Sequence, residues 1–215
     1  MPSTLTIITP ATNTALATRA YVKGELGPTD NSTDAQIDAY IRQASDAIVG
    51  AINVDIAKAT VAETFRRTRR GIICGARGSS SDSKLTLARM PVLSISSVVE
   101  DGTTLDPSEY ELESADFGLL LRLRDGFLST WSASTIVVTY TAGYDLPNSA
   151  PALLQRACAL LVAQYKSSAS RDLTVRSEST DGIGSTSWFD GAVDRGGLSP
   201  EVAGILQQFQ IPAFG

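Results

Sequence analysis

Between residues 33 and 53 the apolar positions recur every three or four residues. Thr33-Asp34-Ala35-Gln36 reads as a capping box, in which the threonine hydroxyl and the glutamine side chain satisfy orphan helix amides reciprocally. Ile37, Ile41, Ala44, Ile48 and Ile52 follow at i, i+4, i+7, i+11 and i+15, one apolar stripe on a helix of about 28 Å. A shorter helix is predicted over 14–26, capped by Asn13 or Thr12 and stopped by Gly27-Pro28. After Asn53 the period falls from 3.6 to 2. Val61–Thr68 reads as a strand whose alternation is weak, and 70–83, rich in Gly and Ser, as a loop. From Lys84 the β pattern strengthens. Leu85 with Leu87, Leu93 with Ile95, Tyr110 with Leu112, Leu119 with Leu121 and Leu123, and Ile136 with Val138 and Tyr140 each mark one strand face. Asp101-Gly102, Asp106-Pro107 and Asp125-Gly126 supply the turns, so residues 59–142 are expected to form an antiparallel meander or small barrel.

A third helix is predicted over 150–166, capped near Asn148 or Ser149, with Pro151 in its first turn. Its apolar positions (Leu153, Leu154, Ala157, Cys158, Leu160, Leu161, Tyr165) are nearly two stripes wide. A surface helix needs one, so this helix is expected between two partners, one of them a candidate neighbouring subunit. Residues 171–198 are Ser-, Gly- and Asp-rich with scattered apolar side chains, among them Leu173, Val175, Trp188 and Phe189. Such a segment buries little by itself and reads as an extended arm or hairpin ordered by a neighbour. A short fourth helix closes the pattern: Ser199 caps, Pro200 sits first, and Val202, Ile205, Leu206 and Phe209 make one face. Pro212 ends it, and Ile211 and Phe214 belong to an apolar tail. The expected fold is therefore α+β: a helical bundle of three main helices plus the short C-terminal one, an inserted β-rich region, and an arm. The corresponding divisions are 1–170, 171–198 and 199–215.

Composition narrows the chemistry. At 215 residues and 43% hydrophobic, the chain can bury about 70% of its unfolded surface without disulfides or metals. A balance of 18 basic and 23 acidic residues, net −5, is the wrong sign for gripping nucleic acid by bulk charge. The absence of histidine removes Ser-His-Asp and Cys-His catalysis and every His-containing zinc site. Cys74 and Cys158 have no CxxC spacing and read as small buried hydrophobes. The start lacks the basic and apolar regions of a signal peptide, and no apolar run approaches the ~20 residues of a membrane helix, so no membrane association is expected. Seven acids fall between Glu100 and Asp116 without a Lys or Arg among them, and alternation puts Glu109, Glu111 and Glu113 on one strand face. Arg66, Arg67, Arg69 and Arg70, with Arg77 and Lys84 nearby, form the one basic cluster, which lacks the interleaved aromatics of a nucleic-acid platform. No constellation carries catalysis, and no cofactor is expected.

The order of these pieces is more specific than any one of them. It runs through Asp34-Ala35-Gln36-Ile37-Asp38-Ala39-Tyr40-Ile41, Glu63-Thr64-Phe65, Pro91-Val92-Leu93-Ser94-Ile95, and Val138-Thr139-Tyr140-Thr141-Ala142-Gly143-Tyr144, then the helix opening Pro151-Ala152-Leu153-Leu154. In this the chain resembles the head–tail connector (adaptor, head-completion) proteins of tailed bacteriophages and related gene-transfer particles, over most of residues 10–166. The resemblance implies a non-enzymatic subunit of a homo-oligomeric ring, a dodecamer where it matches the portal protein, assembled in the host cytoplasm and located in the virion neck. It also implies the portal protein and a stopper or tail-completion protein as partners, with DNA passing through the channel without specific binding. On that footing Val202, Ile205, Leu206, Phe209, Ile211 and Phe214 are candidate portal contacts. Leu173, Val175, Trp188 and Phe189 are inter-subunit anchors, and Glu109, Glu111 and Glu113 channel-facing acids. The loop at Arg70–Ser83 and the arm at Ser167–Gly197 are longer than in the commoner short members. The competing expectations are a DNA-binding packaging factor and a metal-dependent hydrolase.

Overall fold

Helix α2 (Asp34–Ile52) begins and ends where its side chains dictate. Gln36 N donates to Thr33 Oγ1 at 3.3 Å and Thr33 N to Gln36 Oε1 at 2.9 Å, while Asn53 takes the left-handed conformation that ends the helix. A computed structural model describes residues 3–27, 32–67, 73–75, 78–80, 83–169, 177–180, 184–187 and 198–209. The chain divides into two compact units, Met1–Asn13 with Asp55–Asp145, and Thr14–Val54 with Leu146–Ile211.

The helical unit holds α1 (Arg19–Leu26), α2, α3 (Ala152–Ala169) and α4 (Pro200–Gln207). Helix α1 starts at Arg19 rather than near Thr14. Leu16 N donates to Ser45 Oγ on α2 at 3.0 Å instead of entering a helical ladder, and Thr18, not Asn13, caps the helix by accepting from Tyr21 N. The stripe Ile37, Ile41, Ala44, Ile48, Ile52 is buried throughout. Helix α3 runs to Ala169, beyond the expected end, and its apolar face is covered in part inside the chain, with Leu154, Ala157, Cys158 and Leu161 buried and Leu153 41% exposed. It packs on α1 and α2 and also on α4, which buries Val202 and Leu206. Tyr40 and Tyr165 meet at 6.5 Å between ring centroids. Cys158 is a free, buried thiol whose pKa burial pushes up to about 11. The two-stranded pair β12 (Ser177–Thr180) and β13 (Gly184–Ser187) is what is described of the arm.

The β unit contains two antiparallel sheets, and neither closes into a barrel. The larger is seven-stranded in the order β4-β3-β2-β11-β6-β7, with β1 also on β2: β1 (Thr4–Thr9), β2 (Ala59–Arg67), β3 (Ile73–Gly75), β4 (Gly78–Ser80), β6 (Val92–Glu100), β7 (Thr103–Thr104) and β11 (Thr135–Ala142). The smaller joins β5 (Lys84–Thr86), β8 (Tyr110–Ser114), β9 (Leu119–Arg124) and β10 (Phe127–Ser129). The larger sheet is no simple meander, because β11 lies between β2 and β6, far from both in sequence. Asp101-Gly102 and Asp125-Gly126 do form two-residue turns, with positive φ at all four residues.

Three strands depart from the expected faces. The pattern of β2 is perfectly alternating, Ala59, Val61, Glu63 and Phe65 inward; it looks weak in sequence because an acid occupies a core position. On β9 the buried residues are Leu120 and Arg122, with Leu119, Leu121 and Leu123 only half-buried. On β6, register shifts against β11 leave Leu93 and Ser96 unpaired, and Leu93 turns out to solvent; each bulge interrupts the two-residue period. Strand β1 carries no buried side chain, so it has no inward face to read. At the exit of β11, Gly143 has φ +102°, and a Cβ there would lie 2.6 Å from Ala57 O. Only glycine allows the close approach that lets Tyr144 N reach Ile56 O at 2.8 Å.

Candidate interaction surfaces

The polar groups of the β unit are drawn inward to two buried clusters. Glu63 on β2 is fully buried. Its Oε2 accepts from Tyr140 OH at 2.9 Å and from Ala88 N at 2.8 Å, and its Oε1 accepts from Ser3 Oγ. Tyr140 OH in turn accepts from Arg89 N at 3.1 Å. Burial, and then the Glu63 charge, push the Tyr140 phenol well above its ordinary range, so it remains a donor. The Arg89 guanidinium is buried against Ala57 O at 2.7 Å and pairs with Asp55 at 3.0 Å. The second cluster centres on Arg122, which donates to Glu100 of β6 at 3.3 and 3.2 Å, to the carbonyls of Glu109 and Leu123 at 2.8 and 2.6 Å, and lies 5.9 Å from the Trp131 ring centroid. The first cluster ties Ser3, β2, β11 and residues 88–89 together, and the second ties the two sheets.

The acids do not form the continuous face that alternation implies. Glu109 lies in the 3₁₀ turn Pro107–Glu109, not on the strand; its carboxylate accepts from Asp106 N at 3.0 Å and meets Arg122 at 3.4 Å. Glu113 pairs with Lys84 at 2.8 Å. Glu111 is exposed and forms no ion pair among the described residues. The basic cluster is also dispersed: Arg66 is exposed, Arg67 donates to Trp131 O, and Arg69, Arg70 and Arg77 lie outside the described residues. Of the predicted portal contacts, Val202 and Leu206 are committed to the chain's own helices, Ile205 and Phe209 are half-buried, and Ile211 and Phe214 lie outside the described residues. Leu173, Val175, Trp188 and Phe189 do as well.

Sequence reasoning missed the exposed aliphatic groups of the larger sheet: Leu5, Ile7 and Ile8 on β1, and Leu93 on β6, the last three more than half exposed. A usable signal was present, since no charged residue occurs before Arg19. Phe127, 77% exposed at the β9–β10 turn, was equally unannounced. Among the described residues no three Cys, Asp or Glu side chains converge as metal ligands, and no helix is long and apolar enough to cross a membrane.

A family model described as Head completion protein matches residues 15–210. The chain belongs to the head completion protein family. This is a structural family rather than an enzymatic one. Three solved structures contain chains similar in fold to this head completion protein. One is the neck of a native GTA particle computed with C12 symmetry, at 18% identity, TM-score 0.53, covering 99% of this chain and 98% of that one. Another is the virion of a native gene transfer agent (GTA) particle, at 17% identity and TM-score 0.55, covering 98% and 97%. The third is the neck of an empty GTA particle computed with C6 symmetry, at 18% identity and TM-score 0.54, covering 99% and 98%. No curated protein matches the chain.

Proposed function

We propose that this head completion protein is a structural head–tail adaptor, one subunit of a ring in the neck of a tailed phage or phage-like particle. The observation that carries the reading is the family match over residues 15–210. Full-length likeness in fold to chains of a neck computed with C12 symmetry supports a twelve-fold ring. In this reading the ring assembles in the host cytoplasm beneath the portal protein, extends the DNA channel and offers a docking surface to a stopper or tail-completion protein. A net charge of −5 suits a passage through which DNA slides, because like charge opposes tight binding. Among the predicted channel acids, Glu111 is the one without an ion pair in the described chain, and it contributes most to that field; Glu109 and Glu113 contribute less.

Portal docking falls to the end of the chain. Val202 and Leu206 anchor α4 on α3, leaving Ile205, Phe209, Ile211 and Phe214 for the partner. The arm, with Leu173, Val175, Trp188 and Phe189, reaches a neighbouring subunit. Removing the gene from a producing strain tests the function: DNA-filled heads without tails are expected, and normal tailed particles would overturn it. Deleting residues 210–215 tests docking, since this leaves Val202 and Leu206 in place. A folded protein that no longer joins the portal is expected, and one that joins normally refutes docking.

A further inference from the structure

The larger sheet has two open edges on opposite sides. At the level of residues 60–64 its order is β1–β2–β11–β6, all antiparallel. Among the described residues strand β1 pairs only with β2, and all six of its residues are exposed. On the other side, β7 and Leu105 cover only Val98–Glu100, and Val92 N bonds Ala115 O. The outward groups of Leu93–Ser97 have no partner among the described residues. Unpaired strands of this kind are normally guarded by charge, yet there is none in residues 1–18 or 91–99. Paired residues of an antiparallel ladder share a face, so Leu5 and Ile7, opposite Glu63 and Val61, continue the core face of the sheet while remaining 37% and 52% exposed.

We propose that β1 of one copy of this chain pairs with the Leu93–Ser97 edge of β6 in the next copy, so that the sheet continues from subunit to subunit. The proposal rests on the ring reading above, which supplies the second copy. Strand direction favours it. With four alternating strands in the row, β1 and β6 run in opposite senses, so a neighbour placed by simple rotation presents its β1 antiparallel to β6 without being inverted. Joining two different edges is a head-to-tail contact, the kind that closes into a ring. The bulges at Leu93 and Ser96 bend the receiving edge, which suits a closed circle better than a flat fibril. Leu5 and Ile7 gain cover from the neighbour's sheet.

The test uses assembled particles containing a mixture of ¹⁴N- and ¹⁵N-labelled chains, with p-benzoylphenylalanine placed at Ile7. Cross-links from Ile7 to residues 91–99 of another copy are expected. Cross-links confined to the same chain, to β1 of another copy, or to a different protein overturn the strand pairing while leaving the ring intact, and so does the absence of any cross-link in an assembled ring. A neck holding no ring of this chain removes the ring reading, and this proposal with it. As a second measurement, Ile7→Lys and Leu93→Lys replace side chains already half exposed, so thermal melting should be unchanged while each variant loses ring assembly. Unimpaired rings from both variants overturn the pairing.

Discussion

Among the described residues, the fully buried side chains of the helical unit are apolar apart from Ser45, whereas in the β unit Glu63, Arg89 and Arg122 lie inside beside Tyr140 and Trp131. The contrast follows from backbone geometry. A helix satisfies its own amides and needs from its neighbours only apolar cover, which α2, α3 and α4 give one another. Two small open sheets joined by loops leave amides and carbonyls between elements, and buried charged groups with several hydrogen-bonding atoms meet them: Glu63 serves Ala88 N, and Arg122 serves two carbonyls. Burial of charge carries a desolvation cost that only a complete set of partners offsets. The β unit should therefore fail through single polar substitutions, and the helical unit through loss of apolar volume.

Glu63→Leu should have the largest effect. It removes the acceptor of the buried Tyr140 OH and of the part-buried Ala88 N, a loss of about 2–6 kcal/mol at about 1–3 kcal/mol per orphaned group. The urea midpoint measures it, and a loss below that of any helical-core truncation would break the contrast. Leu206→Ala, which opens a cavity between α4 and α3, should cost about 2–4 kcal/mol, read from the same titration. Tyr140→Phe keeps the ring and removes the hydroxyl between Glu63 and Arg89 N, for about 1–2 kcal/mol; a neutral result would mean the cluster tolerates partial dismantling. Thr33→Ala removes the α2 cap at a cost of about 1 kcal/mol, seen as a lower melting temperature.

The smallest effect concerns the exposed clamp between α1 and α2, where Arg19 and Lys23 meet Asp34 and Asp38. Hydrogen bonds from Lys23 and Arg19 hold these two carboxyls below their ordinary value of 3.8. A carboxyl lowered on folding stabilises the protein above its unfolded value, and the benefit is lost as pH falls through the folded one. Melting temperature should therefore be insensitive to Asp34→Asn at low pH, below both values, and show a slight deficit near neutrality that high salt erases. A deficit persisting in high salt would indicate a packing role for Asp34.

The α2 boundaries were readable because a capping box and an isoleucine stripe act within a few residues of one another. The faces of β11 and the two Asp-Gly turns were readable for the same local reason. The inward positions of Glu63 and Arg122 were not, since a charged residue in an alternating run counts as outward until its partner is known. For Glu63 that partner is Tyr140, 77 positions away. Nor could periodicity decide what covers α3: a wide apolar face reads alike whether α4 of the same chain or another subunit lies on it, and α4 covers part of it while Leu153 stays exposed. Strand β1 was invisible because pairing, not burial, defines it. By itself the sequence determined the bounds of α2, the approximate place of α3 and α4, the two Asp-Gly turns, and the family through the order of its pieces. Only the tertiary structure decided which charges go inside, how far Val202 and Leu206 are already committed, and which sheet edges remain open. These depend on partners far apart along the chain, whose pairing no local pattern records.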